Sequence, residues 1–279
     1  MSTVTITAAE VNQLRKKTGA GMMDCKKALQ ESNGDMEAAI DLLRKKGQKV
    51  AAKRGDREAT EGQIIAQATE DGKTGFIITV NCETDFVAKN DDFSKLAQSF
   101  LDIAIKNDIA SADDLKAASY DGTMSVADKV TEQIGVIGEK IEISKLDKIA
   151  AEQVVAYNHP GNRLATIVAL NKAGSEIAEA GRQVAMQVAA MAPVAVDEGD
   201  VDQETINREI EIGKEQAIEE GKPADLAEKI AKGKLNKFFK ESTLLNQAFV
   251  RDNKMSVKQF LQSVDKELTV TAFKRLSLD

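Results

Sequence analysis

The chain has 279 residues, a formal net charge of −7, 42% hydrophobic residues, 30% charged residues and no tryptophan. These values are typical of a soluble globular protein of about two domains. The negative charge argues against a general nucleic-acid binder, which needs a basic surface to displace counterions from phosphates. No apolar run approaches the ~20 residues of a membrane span, and the N-terminus lacks the pattern of a signal or transit peptide. We therefore expect a cytoplasmic protein.

Residues 5–46 predict three short helices that share a small core. Thr7 and Glu10 have the spacing of a capping box, in which side chains satisfy free N–H groups at a helix start. The second helix begins at Met22 or Met23. A core of this size usually gains stability by docking elsewhere.

A basic run follows this helical module. Residues 44–54 carry six cations and no acid. Such a run is typical of a nucleic-acid arm, or of a solvated segment after a helix end, where cations complement the helix dipole. Its shortness and position favour a solvated linker, which can also continue the preceding helix.

The central part of the chain predicts two similar arrangements of a β-hairpin followed by a helix. In the first, strands at 64–69 and 75–80 flank a strong turn signal, and an amphipathic helix follows at 93–105. In the second, strands at 154–157 and 164–170 precede a helix. Helices that cover one side of an antiparallel sheet make an α+β layer. The repetition predicts two related α+β subdomains.

Residues 81–90 join the strand at 75–80 to the helix at 93–105. They contain four candidate binding residues: Thr84, Asp85, Phe86 and Val87. An exposed aromatic ring on such a turn is typical of a binding site. Alternatively, the Phe86 ring folds under its own helix as a structural staple. The residues alone leave both interpretations open.

Residues 203–240 predict an antiparallel helical hairpin that projects from the body. The first helical stretch is acidic, the second is basic, and a Gly-Lys-Pro turn separates them. We expect its sparse apolar residues to face each other across the hairpin: Ile206, Ile210 and Ala217 against Leu226, Ile230 and Leu235.

The cysteines predict no disulfide framework and no metal site, because Cys25 and Cys82 are isolated and distant in sequence. Free cysteines usually pack as small apolar residues. A thiol enzyme is the alternative, with His159 as the single imidazole base. The chain has no phosphate loop, dinucleotide fingerprint or nucleophile elbow. We therefore expect neither an enzyme nor a bound cofactor or metal.

Three stretches resemble the elongation factor Ts family. They are residues 14–29 (LRKKTGAGMMDCKKAL), residues 81–90 (NCETDFVAKN) and, less closely, residues 221–261. The resemblance implies an α+β fold in four parts. These are a ubiquitin-associated-like three-helix module with its basic linker (1–54), a core subdomain with the TDFV motif (55–150), a second core subdomain (151–279) and, within it, the coiled-coil hairpin (201–240).

The resemblance also implies a function, that of a guanine nucleotide exchange factor in translation elongation. The partner is elongation factor Tu, which the family binds with GDP and without nucleotide, so that Mg²⁺ is displaced and GDP leaves. Neither nucleic acid nor a membrane is an implied partner, and the helical hairpin is a site of partner contact or self-association. The alternative is a ubiquitin-associated-type adaptor that binds a protein without promoting exchange.

Site residues follow from the same resemblance. Thr84, Asp85, Phe86 and Val87 would act at the Mg²⁺ site of the partner GTPase. Met22 and Met23 would form a partner-binding patch on the N-terminal module; alternatively, both fill its core. The helix motif that the family usually writes Ala-Met-His ends here in Gln187, a further candidate contact. The sequence also ends at Asp279 with little of the family's C-terminal tail.

Overall fold

The computed structural model describes residues 5–278. The predicted N-terminal module begins at residue 1 and the predicted second core subdomain ends at residue 279, so residues 1–4 and 279 of these domains lie outside the described residues. The three N-terminal helices are α1 (Ala8–Thr18), α2 (Met22–Glu31) and α3 (Met36–Arg54). The capping box of Thr7 and Glu10 is confirmed. Helix α3 continues through the whole basic run to Arg54, so the predicted linker is helical.

An antiparallel sheet with helices follows. Its elements are β1 (Glu61–Ala68), β2 (Thr74–Cys82), α4 (Asp85–Ala88), α5 (Asp91–Lys106), α6 (Ala112–Ala117), α7 (Val126–Ile137) and β3 (Ile141–Ala150). The strand order is β1-β2-β3. The predicted apolar stripe of α5 is confirmed, since its inner face is buried, including Phe93 and Phe100. Burial of such a face supplies most of a helix's stability in a protein.

Helices α3 and α7 cross at very short range. A Cβ atom on Gly135 would lie 2.6 Å from the Cα of Gly47, and one on Gly47 would lie 3.0 Å from the Thr131 carbonyl oxygen. Val136 of α7 also packs against the core of the N-terminal module. Glycine is therefore required at this crossing because any side chain would separate the two helices.

A second sheet with helices forms from the rest of the chain. Its elements are β4 (Gln153–Asn158), β5 (Leu164–Leu170), α8 (Ser175–Met191), α9 (Gln203–Glu219), α10 (Ala224–Ser242), β6 (Ala248–Phe249), β7 (Asp252–Ser256), α11 (Val257–Val264) and β8 (Val270–Ser277). Strands β4, β5 and β8 form an antiparallel sheet in that order. Helices α8 and α11 bury their apolar faces in one core with this sheet.

Helices α9 and α10 form the predicted antiparallel hairpin. Its buried seam consists of small residues, among them Gly213, Ala217 and Ala231. A Cβ on Gly213 would lie 3.2 Å from that of Ala231, so the helices approach closely. The expectation that Leu226 lies in the seam is wrong, because its side chain is 45% exposed. Ala217 is buried, as predicted, and the other predicted residues are half-buried: Ile206, Ile210, Ile230 and Leu235.

The chain divides into two compact units. One contains the chain up to Ile65, Ile78–Asp147 and Leu278; the other contains Ala66–Ile77 and Lys148–Ser277. Helices combined with antiparallel sheets confirm the α+β class. Over residues 5–278, no helix has the length and apolar character needed to cross a membrane.

Candidate functional site

The turn after β2 is built by two consecutive helix caps. Thr84 is extended (φ −125°, ψ 152°) and its Oγ1 accepts a hydrogen bond from the Val87 N–H at 3.4 Å, which begins the single-turn helix α4. Asn90 then caps α5 by accepting from the Asp92 N–H at 2.8 Å. Such caps satisfy N–H groups that a helix start leaves free. The sequence thus fixes the path of the chain through residues 84–90.

Phe86 points away from the protein on this turn. Its side chain is 83% exposed, whereas Ala88 at the end of α4 is buried. The staple interpretation is therefore wrong. Since exposure of a large ring contributes nothing to the core, the ring is available for contact with another molecule. Thr84, Asp85 and Val87 are partly buried around it.

Asp85 carries a negative charge beside this ring. Its carboxylate accepts a hydrogen bond from Lys89 Nζ at 2.6 Å, one helical turn further on. This hydrogen bond lowers the pKa of Asp85. The side chains of Asp85 and Lys89 are 47% and 76% exposed. An ion pair this exposed is weak, so a cation on a binding partner can replace Lys89.

Two glutamates anchor the start of the turn. Glu139 accepts from the Thr84 N–H at 3.0 Å and from the Thr84 hydroxyl at 2.7 Å. Glu83 accepts from the Lys140 N–H at 2.6 Å and from Arg54 Nη1 at 2.8 Å. The Lys140 N–H, and then Arg54, lower the pKa of Glu83. Sequence analysis missed both glutamates.

A local signal exists for only one of these glutamates. Glu83 stands directly before the candidate residues, so its position could have marked it. Glu139 is 55 residues from Thr84 along the chain. Only the fold brings it to the turn.

Met22 and Met23 begin α2, and their side chains are 53% and 63% exposed. The interpretation that both fill the module's core is therefore wrong. Cys25 and Leu29, one and two turns further along, are buried there instead. Two adjacent exposed methionines make an adaptable apolar contact surface.

A cavity of about 360 Å³ lies beside Val87. Its lining includes Gly19, which follows α1, together with Phe93 of α5 and Val136 of α7. Residues of the N-terminal module and of the turn thus border one recess. A partner that contacts Phe86 can insert an apolar group there.

Gln187 is fully buried in the second unit. Its Nε2 donates to Gln247 Oε1 and to the Ala248 carbonyl, both at 3.1 Å, and its Oε1 accepts from the Val250 N–H at 2.8 Å. Both ends of the amide are therefore used to hold the segment that carries β6. Val250 itself is 48% exposed. Gln187 presents this segment to solvent and does not reach solvent itself.

The two cysteines are buried, as predicted. Burial, with the charge of Glu139 as a smaller cause, raises the pKa of Cys82 to about 12. Burial also raises the pKa of Cys25. Both thiols are therefore protonated at neutral pH, and a protonated thiol is a poor nucleophile. His159 lies in the turn after β4, where its Nδ1 is 2.9 Å from the Tyr157 hydroxyl.

Exposed apolar side chains on anchored elements are typical of a surface that binds another protein. Comparison with known proteins agrees with this interpretation. The family model described as "Elongation factor TS" matches residues 83–279. The chain belongs to the elongation factor Ts family.

Curated relatives extend the match to nearly the whole chain. Elongation factor Ts of Christiangramia forsetii is 55% identical over 273 residues, which are 98% of each chain. The proteins of the same name from Flavobacterium psychrophilum and Cytophaga hutchinsonii are 51% and 52% identical, over 98% of this chain and 99% of each relative. Membership of this family implies nucleotide exchange for elongation factor Tu in translation elongation, and such an exchange factor catalyses no chemical reaction of its own.

Proposed function

We propose that the protein binds elongation factor Tu in its GDP-bound form, displaces the Mg²⁺ ion and releases GDP so that GTP can bind. The observation that carries this proposal is Phe86, an exposed ring on a turn whose backbone is fixed at both ends. A flexible loop would lose conformational entropy when its ring inserts into a partner. A preformed turn loses little, so more of the contact energy acts on the partner.

Exchange follows from differential binding. A GTPase holds GDP through Mg²⁺ and a loop around the phosphates. A protein that binds the empty GTPase more tightly than the GDP-bound form must lower the affinity for GDP by the same factor. Contacts that exist only when the nucleotide site is disturbed therefore promote release.

In this proposal, Phe86 is the wedge. Its ring inserts between helices of the partner's G domain and disturbs the Mg²⁺ site. Asp85 leaves Lys89 and pairs with a cation on the partner, while Val87 lines the recess beside the ring. Thr84 keeps the turn in shape through its contacts with Glu139.

A single ring supplies only part of the effect. Burying one Phe side chain contributes about 1.5–3 kcal/mol, which is about one to two decades of affinity. Efficient exchange needs further contacts that favour the empty partner. Met22 and Met23 are the next candidates because both are exposed apolar residues in the same unit as Phe86.

The second unit supplies additional partner contacts in this proposal. Gln187 acts through the segment it holds, which ends in the exposed Val250. The helical hairpin presents Ile212, Ile218 and Leu226 to solvent, a surface suited to the partner or to a second copy. In this proposal the functional parts are the N-terminal module with its linker (1–54), the first core subdomain (55–150) and the second core subdomain (151–279), which includes the hairpin (201–240).

The test mixes this protein with elongation factor Tu that carries a fluorescent GDP and follows the fluorescence by stopped flow in excess GDP. We expect release to accelerate with protein concentration and to saturate. Binding to Tu without faster release would favour the alternative, an adaptor without exchange activity. Absence of both binding and acceleration would contradict the proposal itself.

A further inference from the structure

We propose that Glu139, Glu83 and Arg54 are positioning residues for nucleotide exchange. Arg54 acts through its ion pair with Glu83. The three residues hold the turn of residues 84–87 in the orientation that presents Phe86, and they connect it to the last residue of α3. This inference rests on the proposed function. It assigns a role to three residues that neither the TDFV motif nor the exposed surface includes.

Glu139 fixes the first residue of the turn. Its two carboxylate oxygens are used separately, one for the Thr84 N–H and the other for the Thr84 hydroxyl. The same hydroxyl oxygen accepts from the Val87 N–H. The chain Glu139–Thr84–Val87 therefore spans the residues that flank Phe86. Hydrogen bonds to an ionised acceptor are shorter and stronger than neutral ones.

Glu83 fixes the residue before the turn from a second direction. Arg54 Nη1 lies 2.8 Å from both of its carboxylate oxygens, and the Lys140 N–H donates to one of them. The Glu83 side chain is 14% exposed and that of Arg54 is 32% exposed. A pair this well covered is screened less by solvent than the exposed Asp85–Lys89 pair.

Lys140 is a further link between the end of α3 and the start of the turn. Its Nζ donates to the carbonyls of Gly55 and Arg57, at 3.1 and 3.0 Å. The end of α3, the start of the turn and the segment before β3 thus meet in one hydrogen-bonded network. A displacement of α3 is transmitted to residue 83 through Arg54. The N-terminal module and the turn therefore move together.

None of these groups is placed to act on the nucleotide site itself. Glu83 is largely covered, and both Glu139 oxygens are occupied by Thr84. Their effect must pass through the orientation of Phe86. Loss of a positioning residue should consequently lower the maximal rate of GDP release more than it weakens binding to the partner.

The test compares Glu139→Gln with the wild-type protein. The amide keeps the shape of the side chain but removes its charge and one of its two acceptor oxygens, so the charge-assisted contacts with Thr84 are lost. We expect the maximal rate of GDP release to fall about ten-fold, as for loss of one charge-assisted hydrogen bond. The half-saturating protein concentration should stay within about two-fold of wild type, since the binding surface is unchanged.

Glu132→Gln is the matched control. Glu132 lies in the same unit as Glu139, both residues are half-buried, and Glu132 pairs with Lys129 at 3.2 Å. Within residues 5–278 it makes no hydrogen bond or ion pair to the turn. We expect this variant to release GDP at the wild-type maximal rate. Thermal melting of both variants separates loss of stability from loss of orientation.

A double-mutant cycle tests the connection to α3. If Arg54 acts through Glu83, then Arg54→Met and Glu83→Gln together should slow release no more than the stronger single substitution does. Additive effects of the two substitutions would contradict this connection.

The outcomes separate this inference from the proposed function. A wild-type protein that fails to accelerate GDP release would refute the proposed function. If wild type is active and Glu139→Gln has the same maximal rate, the positioning inference is wrong. It is equally wrong if the variant slows release only in proportion to the fraction that melting shows to be unfolded.

Discussion

Two connections in this protein lead from a sheet strand into a long helix, and they use their polar residues differently. After β5, residues 171–174 are held by hydrogen bonds and an ion pair to residues 265–269. Asn171 donates to the Glu267 carbonyl and accepts from the Thr269 N–H, both at 2.8 Å. Lys172 pairs with Asp265 at 2.7 Å. After β2, Glu139 and Asn90 anchor the two ends of the turn, and the turn carries an exposed ring between them.

The two connections differ in whether their anchoring contacts leave a large apolar side chain exposed. Both are well anchored, so neither is a flexible loop. In the connection after β5, every strong contact that anchors it is internal, and its residues include no large apolar side chain. In the connection after β2, the anchors support Phe86 without covering it. Stability alone explains the first arrangement but not the second.

Substitution of Phe86 is expected to have the largest effect. Phe86→Ala should slow stimulated GDP release ten-fold or more, because about 1.5–3 kcal/mol of ring burial in the complex is lost. The melting temperature should change little, since the ring is exposed. Stopped-flow release and thermal melts of the same protein measure both quantities.

Phe100→Ala is the control for this experiment. Phe100 is fully buried in α5, so we expect it to cost about 3–5 kcal/mol of stability, as other core Phe→Ala changes do. A Phe86→Ala protein that is strongly destabilised, yet exchanges normally while folded, would show that Phe86 stabilises this protein and does not contact the partner.

Asp85→Asn sharpens the comparison by removing the charge and keeping the ring. We expect release to slow by roughly three- to ten-fold, up to about 1.4 kcal/mol, because an ionic contact with the partner is lost. The difference from wild type should shrink as salt is added, since exposed charges are screened. A difference that is independent of salt would show that Asp85 acts by another route.

Lys172→Met tests the connection after β5. Lys172 lowers the pKa of Asp265, so the pair contributes stability above the unfolded carboxyl pKa of about 3.9. This contribution is lost as the pH falls through the lower folded pKa. We expect a small decrease in melting temperature at neutral pH that vanishes in acid, and an unchanged exchange rate. A slower exchange rate would give this connection a binding role.

The double substitution of Cys25→Ala with Cys82→Ala should have the smallest effect on exchange. Both thiols are buried and protonated, so the variant should keep its exchange rate within about two-fold, with a stability cost of about 1–2 kcal/mol for each lost side chain. The measurement is release kinetics at a temperature where melting shows the variant to be folded. Abolished activity in that folded protein would revive the thiol-enzyme hypothesis.

Local signals made much of the fold predictable. The capping box of Thr7 and Glu10 and the apolar stripe of α5 involve residues within a few positions of each other. Such signals survive in any tertiary context that keeps the helix. The candidate residues of the turn were found through the family resemblance.

Contacts between residues far apart in the sequence determine the features that the sequence did not predict. The exposure of Phe86 depends on a turn held by Glu139, which is far away in the sequence. Glycine often marks the end of a helix, but Gly47 lies inside α3, where Gly135 packs against it. The close seam of the hairpin favours glycine and alanine, and Leu226, which was predicted to lie there, is exposed instead.

The crossing of α3 and α7 has a consequence for how a partner is engaged. Because the backbones of α3 and α7 pack directly on each other at Gly47 and Gly135, the three-helix module is packed against α7 and is not joined to it by a linker alone. In the proposed function, the methionine pair and the ring of Phe86 belong to one compact unit and act as a bivalent binder, in which the first contact raises the effective concentration of the second. No linker entropy separates the two events. We expect a partner whose matching patches have a different spacing to gain only one of the two contacts, so that the spacing set by this crossing would favour some partners over others.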